Sequence, residues 1–581
     1  MMKKLLSILT LLFIFNQVIA QTPTDLGLRA IGSPANPKVQ VSWNHYNDYK
    51  GIGDILQKIA KAYPDLAKVE SIGKTVQGKD LLVLTVTDFK TGKPDLKPGF
   101  WVDGNIHSNE LQGSEFSMYT AWYLTEMYGS VSFIRDLLKE KVFYVAPCIN
   151  PDARDDFIKN LNTTNTPRSG MLPQDDDGDG LIDEDGFDDL DGDGEITQMR
   201  RRNPLGRLKV DPNDKNRMIA ARPDEAGEYE LLGNEGLDND GDGLVNEDRQ
   251  GAYDPNRDWG WNWQPDYIQG GAMKYPFSLP ENEAIRKFVM AHPNIAGAQS
   301  FHNTGGMFLR GPGAEEDIST YDQNDISVYD IIGKRGETLV PGYRYFTVYK
   351  DLYTVYGGEL DWFHGSRGIF TFSNELMTSY LLFNKNAAEN RNQNNEFNEA
   401  DKYLLFGDAF VEWKPIKHPT YGDIEVGGFK KNYVRNHPGF LIETDAHRNM
   451  AFILYHAWCM PKLEIKDVKM KKLENGFSQI EARIYNARII PTHSSHDVRY
   501  KIERPDYITL KDAQVVTGLL MQDSDFNVGK EQKMNPATIE VTNLTGMGFV
   551  TLRWIVKGNP SSYNIEVNSA KGGLVTATGK F

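Results

Sequence analysis

Two of the chain's 11 histidines are followed three places on by an acid, in His45-x-x-Asp48 and His107-Ser-Asn-Glu110. An imidazole and a carboxylate at that spacing can point at one ion, and catalytic zinc takes such donors as two histidines and one glutamate. His45 lies in a polar N-terminal lead and reads as an accidental pair. His107 falls where an apolar strand-like run, residues 99–105, gives way to a helical pattern from Asn109 to Tyr128. Open α/β sheets carry their sites at the carboxyl ends of strands. His302, directly after another apolar run, offers a third ligand, leaving a fourth position for water as a hydrolytic site requires. His493 and His496 have no acid three places on, and their polar loop reads as surface.

The elements that must position these residues are readable from periodicity. Residues 48–65 show helical spacing through Ile52, Ile55, Leu56 and Ile59, and further helices are expected near 281–291 and over 443–459. Strands are expected at 67–72, 79–86, 99–105, 141–149, 295–301 and 369–373. Strands alternating with helices predict an α/β domain whose sheet is covered on both faces. An Asp/Gly-rich insertion at about 165–250 interrupts the rhythm. After a boundary at about 461 the pattern turns to strict alternation, as in Val550, Leu552, Trp554 and Val556, which predicts an all-β sandwich of immunoglobulin-like size over 461–581.

With the ligands in this setting, further segments fall in the order of a known family. Asn150-Pro-Asp152, Met199-Arg-Arg201, Asp254-Pro-Asn256-Arg257, Tyr353-x-x-x-Gly357-Gly358 and Phe370–Leu376 follow His107-x-x-Glu110. Residues 42–460 thereby resemble the zinc carboxypeptidases related to pancreatic carboxypeptidases A and B, and the step from Trp362 to Glu375 keeps that family's spacing. The resemblance implies a mixed-sheet catalytic domain that hydrolyses the C-terminal peptide bond of peptides or proteins with a free C-terminus. It implies one Zn2+ on His107, Glu110 and His302, Glu375 as general base, and Arg201 as the arginine that stabilises the oxyanion. Asn256 and Arg257 would hold the terminal carboxylate, Tyr353 would close over the peptide, and Asp254 would orient His107. Leu360 would line the base of the side-chain pocket and favour large apolar terminal residues. Asn109 departs from the family, since the pancreatic enzymes carry an arginine there.

Charge is concentrated in the insertion. Residues 175–195 contain 12 acidic side chains and 235–248 contain 6, with no basic ones, so the net charge of −16 reduces to about +2 elsewhere. That distribution argues against nucleic-acid binding. Asp175, Asp177, Asp179 and Asp183 are nearly repeated as Asp238, Asp240, Asp242 and Asn246, with Asp189, Asp191 and Asp193 between. Carboxylates at positions 1, 3 and 5 followed by Gly let a loop wrap a hard cation, so structural Ca2+ is expected, although no Glu stands at position 12 as in an EF-hand. Residues 1–20 read as a secretory signal, so the chain is expected to be secreted or periplasmic, and 21–41 leave no room for a folded inhibitory segment. No later run is long and apolar enough to span a membrane. Cys148 and Cys459 are expected as separate buried thiols. Two other readings stay open: a zinc amidase or carboxypeptidase acting on peptidoglycan stem peptides, and a calcium-dependent, non-catalytic surface-binding protein. The β domain's partner is unassigned.

Overall fold

Central strands of the mixed sheet are buried on both faces, as parallel strands sandwiched by helices must be. All six residues of Gly99–Gly104 and all nine of Ile295–Asn303 are buried. The computed structural model describes residues 31–164, 168–175, 178–251, 253–383 and 393–581; Asp177 and the leader at 1–20 lie outside them. The chain divides into the units Met1–Lys38 and Val39–Phe581. Residues 31–38 carry no helix or strand.

Within Val39–Phe581, an eight-stranded mixed sheet runs in the order Ala67–Lys74, Asp80–Val86, Val142–Ala146, Gly99–Gly104, Ile295–Asn303, Phe370–Leu376, Met307–Arg310 and Arg344–Thr347. The four central strands are mutually parallel. One face buries Leu56, Phe116, Tyr119, Ile332 and Phe452 from helices Tyr49–Ala62, Gln112–Met127, Gln323–Leu339 and Gly439–Cys459. The other packs Ile285, Phe288, Trp362 and Phe363 from Pro280–Ala291 and Glu359–Arg367 against Trp101. Both faces are covered, as the alternation predicts. The helix expected from Asn109 starts at Gln112, because His107–Glu110 form a turn in which the Glu110 N–H donates to the His107 carbonyl (3.1 Å).

The insertion is more structured than its composition suggests. Gln198–Arg202, Leu208–Asp211, Asp214–Ala220 and Tyr229–Asn234 join the distant hairpin Phe410–His418 and Gly422–Phe429 in a six-stranded antiparallel sheet. Beyond helix Gly439–Cys459, five-stranded and four-stranded antiparallel sheets share one core containing Ile480, Leu552 and Trp554 with Ile508 and Val567. The histidines read as surface groups are instead buried at the junction of this region with the mixed-sheet region. The His496 ring bonds the Gly365 carbonyl (2.9 Å), and His493 lies between Asp497 (3.0 Å) and Asp506 (3.4 Å). Burial alone would lower the His493 pKa, but the two carboxylates outweigh it and raise it to about 9. Cys148 and Cys459 are buried and unbridged. Among the described residues, no helix is long and apolar enough to cross a membrane.

Candidate active site

Two neighbouring strand ends bring the candidate metal ligands together, and a third sets the candidate base beside them. After strand Gly99–Gly104 the chain turns at Asn105, whose φ of 62° is left-handed, a conformation asparagine tolerates. The Asn105 Nδ2 donates to the carbonyls of His107 (2.8 Å) and Ser108 (3.1 Å), closing the turn. Buried Arg154 braces it from behind, donating to Asn105 Oδ1 and the Leu111 carbonyl (3.1 Å each) and pairing with Glu115 (3.0 Å). Gly104 is required here, since a Cβ on it would lie 2.6 Å from the Gly113 backbone at the start of the helix. On the neighbouring parallel strands His302 and Glu375 are register partners.

The ligand atoms form a compact triangle. His107 Nδ1 is 3.0 Å from Glu110 Oε1, His302 Nδ1 is 3.2 Å from Glu110 Oε2, and the two Nδ1 atoms are 3.3 Å apart. Zinc bonds of about 2.0–2.1 Å give a tetrahedron with edges of about 3.3–3.4 Å, so the donors are spaced for this ion. All three residues are buried. His107 Nε2 is held by Asp254 Oδ1 (2.9 Å), which leaves Nδ1 for the metal. Burial opposes the charge on Glu110, but His107, His302 and Arg168 around it hold its carboxyl well below the usual range. Burial likewise opposes ionisation of Asp254, and Arg257 and His107 override it.

A cavity beside this centre is lined by Asn256, Arg257, Tyr353, Leu360 and Glu375. Arg257 is 7% exposed and donates to its neighbour's carbonyl, Asn256 O (2.8 Å), while its buried Nε has no acceptor among the described residues. Tyr353 is 50% exposed. Glu375 is partly buried, and loss of water around it pushes its carboxyl up to about 7, with His302 opposing and Glu110 adding to the rise.

Arg201 is not part of this cluster. It lies on strand Gln198–Arg202 of the second sheet, 40% exposed, with its guanidinium on Glu230 (2.6 Å). The arginine at the ligands is Arg168. Its Nη2 lies 3.1 Å from His107 Nδ1 and its Nη1 3.5 Å from Glu110. Asn150 anchors this arm, donating through Nδ2 to both Ile106 O and Ser169 O (3.0 Å each). The available signal was position: Arg168 follows the Asn150-Pro-Asp152 segment, at the end of a stretch without hydrophobic period. A second arginine, Arg435, approaches Glu110 to 3.8 Å from the segment before the last catalytic-domain helix. That segment is clamped to the ligand turn, because Asn436 donates to Asn109 O and accepts from Leu111 N (2.9 Å each).

Of the Asp-rich residues, Asp179 and Asp240 approach Glu184, and Asp238, Asp240 and Asp242 form a second group. Asp189 and Asp191 group with Glu235, but Lys414 pairs with Asp191 (2.6 Å). Asp175 folds back on the N–H groups of Gly178 and Gly180, Asp183 accepts from Gln174 N, and Asp193 accepts from Glu195 N.

Residues 52–164 and 229–397 match the family model described as zinc carboxypeptidase, and residues 462–580 match a domain of unknown function. The gap between the matched stretches contains Arg168 and most of the insertion. Carboxypeptidase B of Astacus astacus is 34% identical over 113 residues, 19% of this chain and 35% of that protein. Carboxypeptidase D of Mus musculus is 27% identical over 122 residues, 21% of this chain and 9% of that protein. The alignments thus cover about a third or less of these relatives. Carboxypeptidase A from Helicoverpa armigera aligns at a TM-score of 0.39 with 17% identity, over 58% of this chain and 66% of that one. Over residues 52–164 and 229–397 the chain belongs to the zinc carboxypeptidase family.

Proposed function

We propose that this chain is an exported zinc carboxypeptidase that releases single residues from the C-terminal end of peptides. The observation that carries the reading is one cavity in which Asn256, Arg257, Tyr353 and Glu375 meet beside the His107–Glu110–His302 triangle. A zinc ion on those three residues would acidify water and polarise the scissile carbonyl. Arg257 and Asn256, which line that cavity, hold the free terminal carboxylate, since a guanidinium fork matches its two oxygens. Arg168 faces the carbonyl oxygen and stabilises the charge that develops there. Glu375 takes the proton of the attacking water and returns it to the leaving amine, so one water is consumed per residue released. Tyr353 covers the bound end. Arg435 supplies beside the ligands the positive charge that Asn109 does not. Leu309, Val348, Leu352 and Leu360 are among the residues lining the cavity, which supports a preference for apolar terminal residues. The first and third Asp-rich loops are read as structural calcium sites and the middle one as a site neutralised by Lys414.

Mass analysis of a peptide digest tests the activity. A ladder of products shortened one residue at a time from the C-terminus is expected, abolished by a zinc chelator and restored by zinc. Cleavage at internal bonds would overturn the exopeptidase reading. The two arginines give a separate prediction. Arg168→Ala should lower kcat by at least ~10²-fold, as loss of an oxyanion donor does. Arg201→Ala removes a half-buried ion pair on the second sheet, away from the ligands, and should change kcat by less than about twofold. A large loss in Arg201→Ala with an intact Arg168→Ala would reverse the assignment.

A further inference from the structure

Asp248 is a buried acid whose side chain has no donor: neither of its carboxylate oxygens has a hydrogen-bond partner among the described residues. Its carboxylate faces Glu184, whose two oxygens are equally unpartnered. The arrangement is repeated across the loops. Glu247 of the third loop faces buried Asp185 of the first, and both Glu247 oxygens are unpartnered. Asp179 of the first loop and Asp240 of the third each come with Glu184 into a group whose oxygens lie within 4.8 Å of one another. The loops are also bonded directly, Asp185 N to Asp248 O (3.1 Å) and Asn239 Nδ2 to Asp185 Oδ1 (2.9 Å). Carboxylates facing each other without donors are repulsive, and a buried one without a counter-charge is costly. The middle loop escapes this, since Lys414 neutralises it.

The same loops hold the feet of two active-site arms. Arg168 stands shortly before Asp175, where the first loop opens, and Asp254 stands shortly after Asp248, where the third closes. Between them the arms touch closely. The Tyr253 hydroxyl accepts from Leu172 N (2.9 Å), and a Cβ on Gly251 would lie 2.4 Å from Ser169 Oγ.

We infer that the first and third Asp-rich loops form a single calcium-binding unit, in which Asp248 of the third loop completes the site of the first, and that this unit holds the Arg168 arm and the Asp254–Arg257 arm together. All-oxygen, carboxylate-rich donors without nitrogen or sulfur suit a hard divalent cation of calcium's size. The inference rests on the calcium reading of the loops and adds their mutual completion and their connection to the site.

Calorimetric titration with CaCl2 of the zinc-loaded full chain, stripped of calcium, tests it. Wild type should bind Ca2+ with a Kd of about 1 mM or tighter. Asp248→Asn and Glu184→Gln should each weaken one and the same Ca2+ by at least ~10-fold, and the double variant should be no worse than the stronger single one. Glu184 is only half-buried, so its variant keeps the test valid if Asp248→Asn fails to fold. Asp191→Asn should titrate like wild type. Calcium removal should also shrink the preference for free over amidated C-termini, as the arm carrying Arg257 loosens, whereas a purely global destabilisation would lower both rates alike. Absence of calcium binding by wild type would overturn the calcium reading itself. Calcium binding that Asp248→Asn and Glu184→Gln leave unchanged would overturn the mutual completion alone, and an unchanged acid-to-amide preference without calcium would overturn the connection to the arms.

Discussion

Replacing Glu375 with Gln is expected to lower kcat by ~10²–10⁴ while the fold and zinc content hold, the usual loss when a positioned acid–base group is removed. Glu375 is the register partner of His302 on adjacent parallel strands, so the proposed base is fixed relative to a proposed ligand by sheet hydrogen bonds rather than by a loop. Gln keeps the shape and cannot take a proton. Wild-type kcat/KM should fall as pH drops through the Glu375 pKa, because only the carboxylate is a base; a bound dication would move that limb below the metal-free value of about 7. Stability carries the opposite sign. A carboxyl raised from 4.5 to about 7 in the folded chain disfavours folding once ionised, and the penalty builds between those values as pH rises. Metal-free Glu375→Gln should therefore gain in melting temperature over wild type across that interval. Turnover near the wild-type rate in a zinc-replete Glu375→Gln protein would remove Glu375 from the chemistry.

What the sequence made legible follows from how local each signal is. The sheet was readable because central parallel strands open on apolar runs, as in 99–102 and 295–298, and the candidate ligands stood out because they follow those runs. The second sheet was not, because strands such as Leu208–Asp211 and Asp214–Ala220 have no fully buried residue and share their sheet with a hairpin far along the chain, Phe410–His418 and Gly422–Phe429. Arg201 drew the electrophile's part because Met199-Arg-Arg201 matches a local pattern, whereas Arg168 is placed by a tertiary contact through Asn150. Arg435 had no local signal at all. Its segment is positioned by Asn436 against the Asn109–Leu111 turn, which belongs to a much earlier part of the chain. His493 and His496 were misplaced for the same reason: their loop is polar in composition, but its partners Asp325, Gly365 and Asp506 lie on other elements that bury it.

Arg257→Ala is the second large effect expected, and its signature is selective. A buried guanidinium facing a substrate carboxylate is worth several kcal/mol when truncated, so kcat/KM on peptides with a free C-terminus should fall ~10²–10³-fold. Amidated peptides never make that ion pair and should lose far less, so the acid-to-amide ratio collapses. Arg257 also lies 3.6 Å from Asp254, the partner of His107, so a disturbed ligand is a second route to lost activity. Two measurements separate the routes. A disturbed ligand would lower zinc content and slow acid and amide substrates together, whereas loss of the carboxylate clamp leaves zinc in place and raises KM chiefly for acids. Arg257→Lys restores a point charge without the planar fork and should recover only part of the ratio, because a fork matches both carboxylate oxygens. An unchanged acid-to-amide ratio in Arg257→Ala would mean that the terminal carboxylate is held elsewhere, with Arg168 and Arg435 the other cations beside the ligands among the described residues.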